Sequence, residues 1–202
     1  MAVAVRGREA ELLRAATRLF RERGFHATSM QDLAEALGMN RGSLYHYIDS
    51  KDDLLWSILT TALDLLSARV GPMLTATDVP SSQRLADGIR EHLRVAAASA
   101  DELSLIQIEL RSLGDQRRRD MIQRRNEYEE LWRQALRAAI ADGAVRQDAD
   151  VRLTVIGILS ACNWFTQWYR PDGPMSVDQI ADGFIGLFLD GVRGSTTPGV
   201  AS

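Results

Sequence analysis

A single cysteine, Cys162, among 202 residues excludes an intramolecular disulfide framework and the small secreted scaffolds such frameworks hold together. It lies in the apolar run from Ile156 to Phe165, the setting of a buried structural thiol in a reducing cytoplasm. Histidine is scarce too. His26, His46 and His92 are scattered, and neither His-Glu-x-x-His nor paired-cysteine spacing occurs, so no metal site is indicated. Glu91-His92 reads as an ordinary pair on a helix surface. No recognisable acid, base, nucleophile or cofactor cluster points to an enzyme. Long apolar runs are missing: nothing reaches the roughly 18 residues needed to span a bilayer. The opening MAVAVRGREAELLRAA lacks the apolar core and cleavage site of a signal peptide. The expectation is a cytoplasmic protein with no membrane partner and no cofactor. Lysine occurs once, as Lys51, and arginine supplies the remaining positive charge.

What is present is an ordinary core-forming composition, 46% apolar and 25% charged, with a net charge of −3. Acidity overall argues against a nucleic-acid partner, but the distribution argues for one. The seven arginines of residues 1–47 outnumber the carboxylates there, so a basic head precedes an acidic body. Attraction to phosphates acts locally, not through total charge. Helical periodicity dominates: Leu12, Leu13, Ala16, Leu19 and Phe20 form one amphipathic face. Gly24 stops that helix. Ser29 with Asp32 forms a capping-box pattern, Gly38 ends the short helix that follows, Asn40 caps Arg41–Ile48, and Ser50 with Asp53 starts another helix closed by Gly71-Pro72. After a loop over 75–82, helices are expected at about 82–100, 102–113, 115–142, 149–169 and 177–193, then an unstructured tail over 194–202. The fold class is therefore all-α, with about nine helices: a three-helix head over 1–53 and a larger body over 54–193.

Two short helices joined by a tight glycine turn make a helix-turn-helix, whose second helix enters a major groove. Arg41, Ser43 and His46 lie on its early turns, where base edges are reached. Tyr45 and Lys51 are placed for flanking phosphates, and Thr28 and Ser29 sit at a helix N-terminus that would suit a third. The alternative for Tyr45 and Tyr47 is a place in the core of a small bundle, and for His46 that of a plain surface histidine.

These residues fall in an ordered pattern: Gly24-Phe25, Thr28-Ser29, Ala34 with Gly38, Gly42-Ser43-Leu44-Tyr45-His46-Tyr47 and Ser50-Lys51-Asp52-Asp53-Leu54. The pattern resembles the N-terminal signature of the TetR family of transcription regulators over residues 8–55, departing from it at Ile48, where an aromatic is usual. The resemblance implies that Thr28, Arg41, Gly42, Tyr45, His46 and Lys51 meet operator DNA. It also implies a dimer released from a palindrome by a small ligand.

The stretch from Asn163-Trp164 to Tyr169-Arg170-Pro171-Asp172-Gly173 is similar to a segment of TetR-type regulators of fatty-acid and sterol-ring degradation, which respond to acyl-CoA thioesters. An acyl chain wants an apolar tunnel, and CoA phosphates want arginines at its mouth. Candidates for that site are Leu105, Ile106, Arg111, Arg118, Arg125, Tyr128, Asn163 and Trp164. Core packing and a solvated arginine face are the alternatives, as is a drug or another hydrophobic metabolite as ligand. The amide of Asn163, inside an apolar helix, needs a partner in either reading. Ile180, Phe184, Leu187 and Phe188 form a stripe suited to a homodimer interface, or to packing within one protomer.

Overall fold

Side-chain caps set where the short helices of the head begin. Helix α1 spans Ala2–Arg23 and ends at Gly24, whose φ of +83° lies in the left-handed region that glycine adopts without strain. Helix α2, Met30–Ala36, opens on a reciprocal capping box: Ser29 accepts from the Asp32 N–H while the Asp32 carboxylate accepts from the Ser29 N–H. Gly38, at φ +63°, then turns the chain. In α3, Arg41–Leu44, the Asn40 side chain accepts from the Ser43 N–H at 2.7 Å. This helix is shorter than the expected Arg41–Ile48. The His46 and Tyr47 N–H groups donate to carbonyls three residues back, so its end tightens into turns. The computed structural model describes residues 2–191, with side chains from Gly7 onward. The tail over 194–202 lies outside the described residues.

The body follows as α4 (Lys51–Thr75), α5 (Ser81–Ala98), α6 (Ala100–Ile108), a 3₁₀ turn over Leu110–Ser112, α7 (Asp115–Ala141), α8 (Val151–Trp168) and α9 (Val177–Ile185), which runs on as a π turn over Gly186–Asp190. Among the described residues there is no strand. Helix α5 is the hub, packing against α4, α6, α7, α8 and α9. At its middle, a Cβ on Gly88 would stand 2.6 Å from Leu74 and 3.1 Å from Trp132, so a larger residue would have to displace the Leu74 side chain.

The expected stop at Gly71-Pro72 does not occur, because α4 carries Pro72 inside it and continues to Thr75. A proline there forfeits one backbone hydrogen bond. Burial of Val70 before the proline and Leu74 after it offsets that loss: each buried side chain contributes about 1.5–3 kcal/mol. By length and composition α4 is also apolar enough to cross a bilayer. Half of that stretch is buried inside the protein, and Asp64 and Arg69 pair with Arg124 at 2.9 Å and Glu91 at 2.6 Å, as befits a core helix. Phe20, Leu33 and Leu44 of the head share one apolar cluster with Leu54, Leu55 and Ile58 of α4. The expected division at residue 53 therefore falls within the first turn of a helix that serves both parts.

Candidate DNA-reading head and ligand cavity

Leu33, Ala34 and Leu44 bury the inner faces of α2 and α3, which leaves Arg41, Gly42, Tyr45 and His46 exposed on the outside of α3. The Arg41 guanidinium donates to the Tyr45 hydroxyl at 3.1 Å and lies 5.7 Å from its ring centroid, so the two hold each other in place. A Cβ on Gly42 would come within 3.3 Å of Asn40 Oδ1, the atom that caps the helix, and its absence leaves the backbone there open to close approach. Ser43 is half-buried beside that cap.

Two expectations for this surface are corrected by geometry. Thr28 is buried, and its hydroxyl donates to the Gly24 carbonyl at 2.9 Å, so it closes the loop after α1 and does not face outward. Lys51 is turned inward as well. Its Nζ donates to the carbonyls of Phe25 at 2.8 Å and Thr28 at 2.7 Å, and sits 4.4 Å over the Phe25 ring. The ammonium thus staples the loop that leads into α2, with its donors already used. Ser29 is exposed, but its hydroxyl and N–H are engaged by Asp32, whose carboxyl they hold below its usual value, helped by Arg23. An anion already occupies this helix start.

The same loop is gripped from the body by a residue that the sequence reading missed. Glu109, at the end of α6, accepts from the Phe25 N–H at 3.0 Å and from the Ser112 hydroxyl at 2.6 Å, and Ser112 stands 3.2 Å from His26 Nε2. A carboxylate within the apolar string Ile106-Gln107-Ile108-Glu109-Leu110 needs a buried partner, and that was its signal. Arg117 of α7 pairs with Asp53 at the start of α4 and lies over Trp56. The arginine row expected to be free for ligand is thus partly committed to holding helices together.

Two adjoining hollows open between α6, α7 and α8, both lined by Gln107, Arg125, Glu129, Leu159 and Asn163. The deeper one, walled by Leu63, Leu66, Leu103, Ile106 and Tyr128, holds about 30 Å³. The outer one, reaching Ile156 and Trp164, holds about 410 Å³. Of the candidate ligand residues, Ile106, Arg125, Tyr128, Asn163 and Trp164 line these two hollows. Leu105, Arg111 and Arg118 do not. Leu105 is fully buried behind the wall, Arg111 points out from the 3₁₀ turn, and Arg118 pairs with Asp115 at 2.6 Å on the first turn of α7. Among the described residues Arg125 makes no ion pair, while its neighbour Glu129 is paired with Arg133 at 2.5 Å. An unpaired guanidinium beside an apolar wall is suited to an anionic group that carries a hydrocarbon part.

Beneath the deeper hollow lies His92, which is buried and not on a helix surface as the Glu91-His92 reading expected. Its Nδ1 is 2.9 Å from the Tyr128 hydroxyl, and burial pushes its pKa down to about 4, against a weaker upward pull from Asn163. Cys162 is buried nearby, its thiol pushed up to about 12, so it is an inert packing group.

The stripe expected to form a dimer interface turns mostly inward. Ile180 is buried, and Phe184 and Phe188 pack against the protomer's own core, with Phe188 over Gly157. Only Leu187 of that set is exposed. The uncovered apolar row lies instead on α8, where Leu153, Ile156, Trp164 and Trp168 face out, Trp164 being 67% exposed. Patches of that kind on a soluble protein mark interaction surfaces.

A helix-turn-helix head on a helical body with a hollow beside the joint defines a ligand-responsive DNA-binding regulator. The chain belongs to the TetR family: residues 12–58 match the bacterial regulatory proteins of that family, and residues 78–192 match the tetracyclin repressor-like C-terminal domain. It is 34% identical to the HTH-type transcriptional repressor KstR2 of Rhodococcus jostii over 92% of this chain and 91% of that one. The ketosteroid transcriptional regulator KstR2 of Mycobacterium tuberculosis superposes with a TM-score of 0.85 at 29% identity, covering 93% of this chain and 95% of that one. AibR, in complex with isovaleryl coenzyme A and operator DNA, superposes at 0.81 with 29% identity over 90% of this chain and 98% of the other. These are families of regulators, not enzymes.

Proposed function

We propose that this chain represses transcription in the cytoplasm as a homodimer that reads a palindromic operator through α3 and is released by an acyl-CoA thioester. The observation that carries the ligand class is Arg125, which among the described residues makes no ion pair and lines both adjoining hollows. Phosphates or the pantetheine arm would lie outside beside Arg125 and Trp164, and the acyl group would enter past Ile106 and Leu159. The names of the relatives, a repressor and a regulator complexed with a coenzyme A thioester, point the same way.

Operator contacts would come from Arg41 and His46 to base edges and from Tyr45, Ser43 and the Gly42 backbone nearby. Lys51 and Thr28 would act by holding the loop before α2. One such short helix reads few bases, so two heads spaced by about 34–36 Å are needed to reach successive major grooves. Leu153 and Trp168 of α8, with Leu187, would supply the matching face.

Coupling would run along α6. Ile106 and Gln107 line the hollows, and Glu109, less than one turn further on, holds the Phe25 N–H of the head. A ligand that shifts α6 shifts the grip on the reading head, and about 1–3 kcal/mol of such coupling changes operator affinity by about 5- to 150-fold. The test is binding of the full chain to the DNA upstream of its own gene, with and without a panel of acyl-CoA thioesters. Release by a thioester but not by free CoA supports the reading. Operator binding that no thioester alters would leave a TetR regulator with a different ligand.

A further inference from the structure

The body core contains a polar knot for which DNA reading has no use. His92 on α5, Tyr128 and Trp132 on α7 and Asn163 on α8 converge there, with ring centroids of the first three 6.0–6.3 Å apart. His92 Nε2 and Trp132 Nε1 are both buried without a hydrogen-bond partner. Asn163 is close enough to His92 to pull its pKa upward, yet it makes no hydrogen bond to Nε2.

A neutral imidazole has one donor nitrogen and one acceptor nitrogen, so the 2.9 Å contact with Tyr128 has two arrangements. Either the phenol donates to Nδ1 and an Nε2–H is left idle, or Nδ1–H donates to the phenol oxygen and frees the Tyr128 O–H. Each arrangement leaves one donor unused, and the indole N–H of Trp132 adds another that has no accepting role. Idle buried donors are costly, so native proteins rarely keep them unless something fills the need. Gln107, Tyr128 and Asn163 are also the uncharged polar side chains that line the deeper hollow beside its apolar wall.

We infer that the Tyr128 hydroxyl, oriented by His92 and flanked by Asn163, receives a carbonyl oxygen of the ligand. The acceptor is uncharged, because the nearest free cation, Arg125, lies at the rim and a carboxylate carried past it would be buried unpaired. That oxygen is either the thioester carbonyl or a ketone along the acyl group, and His92 is a positioning residue that does not touch it. This inference rests on the acyl-CoA reading above.

The experiment is calorimetry on the full chain with matched ligands: a saturated acyl-CoA thioester, the S-alkyl-CoA thioether of equal length, which lacks the carbonyl, and a thioether carrying a ketone in its chain. The expected result is that one carbonyl-bearing ligand binds about five- to tenfold more tightly than the plain thioether, the worth of one buried hydrogen bond. Which ligand gains identifies the oxygen. Tyr128→Phe then brings the ratio close to one while thioether affinity holds. His92→Phe lowers the ratio in part, and His92→Gln restores some of it. Should either variant fold poorly, isotope-edited infrared spectroscopy of a carbonyl-labelled ligand on the unmodified protein gives the same answer: the stretch moves to lower frequency than in an apolar solvent. An unshifted stretch, equal affinities in the unmodified protein, or a Tyr128→Phe variant that keeps the ratio overturns the inference while the acyl-CoA reading stands. Failure of every CoA compound to bind overturns both.

Discussion

The head and the body of this protein solve opposite problems with the same helices. In the head, polar side chains are spent on the backbone: Ser29, Asp32, Asn40, Ser50 and Lys51 cap or staple short helices that have little core of their own. What remains free for DNA is the outer face of α3. The body has ample core, and its polar groups are held in reserve around a hollow, with Arg125 unpaired and His92 and Trp132 unsatisfied. A rigid reader and an under-satisfied sensor are what a switch needs, since the ligand supplies bonds that only one arrangement of the body makes.

The comparison breaks most completely at the α8 face. Replacing Leu153 and Leu187, which line neither hollow, together by glutamate should leave helicity and ligand binding in the monomer largely intact. It should also lower operator affinity at least about a hundredfold, because one head on one half-site forfeits much of the gap between specific and non-specific binding. Sedimentation of the variant as an unchanged dimer would place the interface elsewhere.

Acid should separate the two regions. His92 titrates at 6.5 when unfolded and at about 4 when folded, so the unfolded chain binds the extra proton and the body loses stability as pH falls from about 6.5 to about 4. The loss is on the order of 3 kcal/mol. Asp32 and Asp53, held below their usual value of 3.8 by Ser29 and by Ser50 with Arg117, keep their contribution until the pH falls below that value. Denaturant melts from pH 7 to pH 4 should therefore show a decline that His92→Phe largely removes. An equal decline in the variant would assign the acid sensitivity to other groups.

Lys51→Ala distinguishes a staple from a phosphate clamp. The Phe25 and Thr28 carbonyls lose a charged donor, so stability and operator affinity should both fall by roughly 1.5–3 kcal/mol. The slope of log affinity against log salt should stay as it was. A lysine that meets a phosphate would reduce that slope by about 0.9. The smallest effect belongs to Glu109→Gln, which keeps an acceptor for Phe25 but gives up its charge, a change of about 1 kcal/mol. Operator affinity without ligand should drop modestly, and the further drop caused by ligand should shrink. An unaltered ligand response would route the coupling around α6.

Local chemistry explains which of these features could be read in advance. The capping box at Ser29, the turns at Gly24 and Gly38 and the Asn40 cap are interactions across three or four residues, so spacing alone reveals them. The cavity residues Ile106, Arg125, Tyr128, Asn163 and Trp164 were legible because an amide in an apolar helix and an arginine near apolar residues are anomalies in one dimension as well as in three. Arg111 and Arg118 carried the same composition signal but face away, since direction around a helix axis depends on what the helix packs against. His92 and Glu109 were harder still, because each finds its partner 36 or 84 residues away.

By itself the sequence determined the all-helical class, the helix-turn-helix, the basic head and the apolar body, because these follow from periodicity, caps and charge within a few residues. Tertiary structure alone decided that Lys51 and Thr28 turn inward, that Pro72 is carried through a helix, and that the open apolar row lies on α8 while Ile180 and Phe188 are covered. Each of those outcomes depends on which neighbour a side chain meets across the core, and burial there outweighs the local preference of the residue.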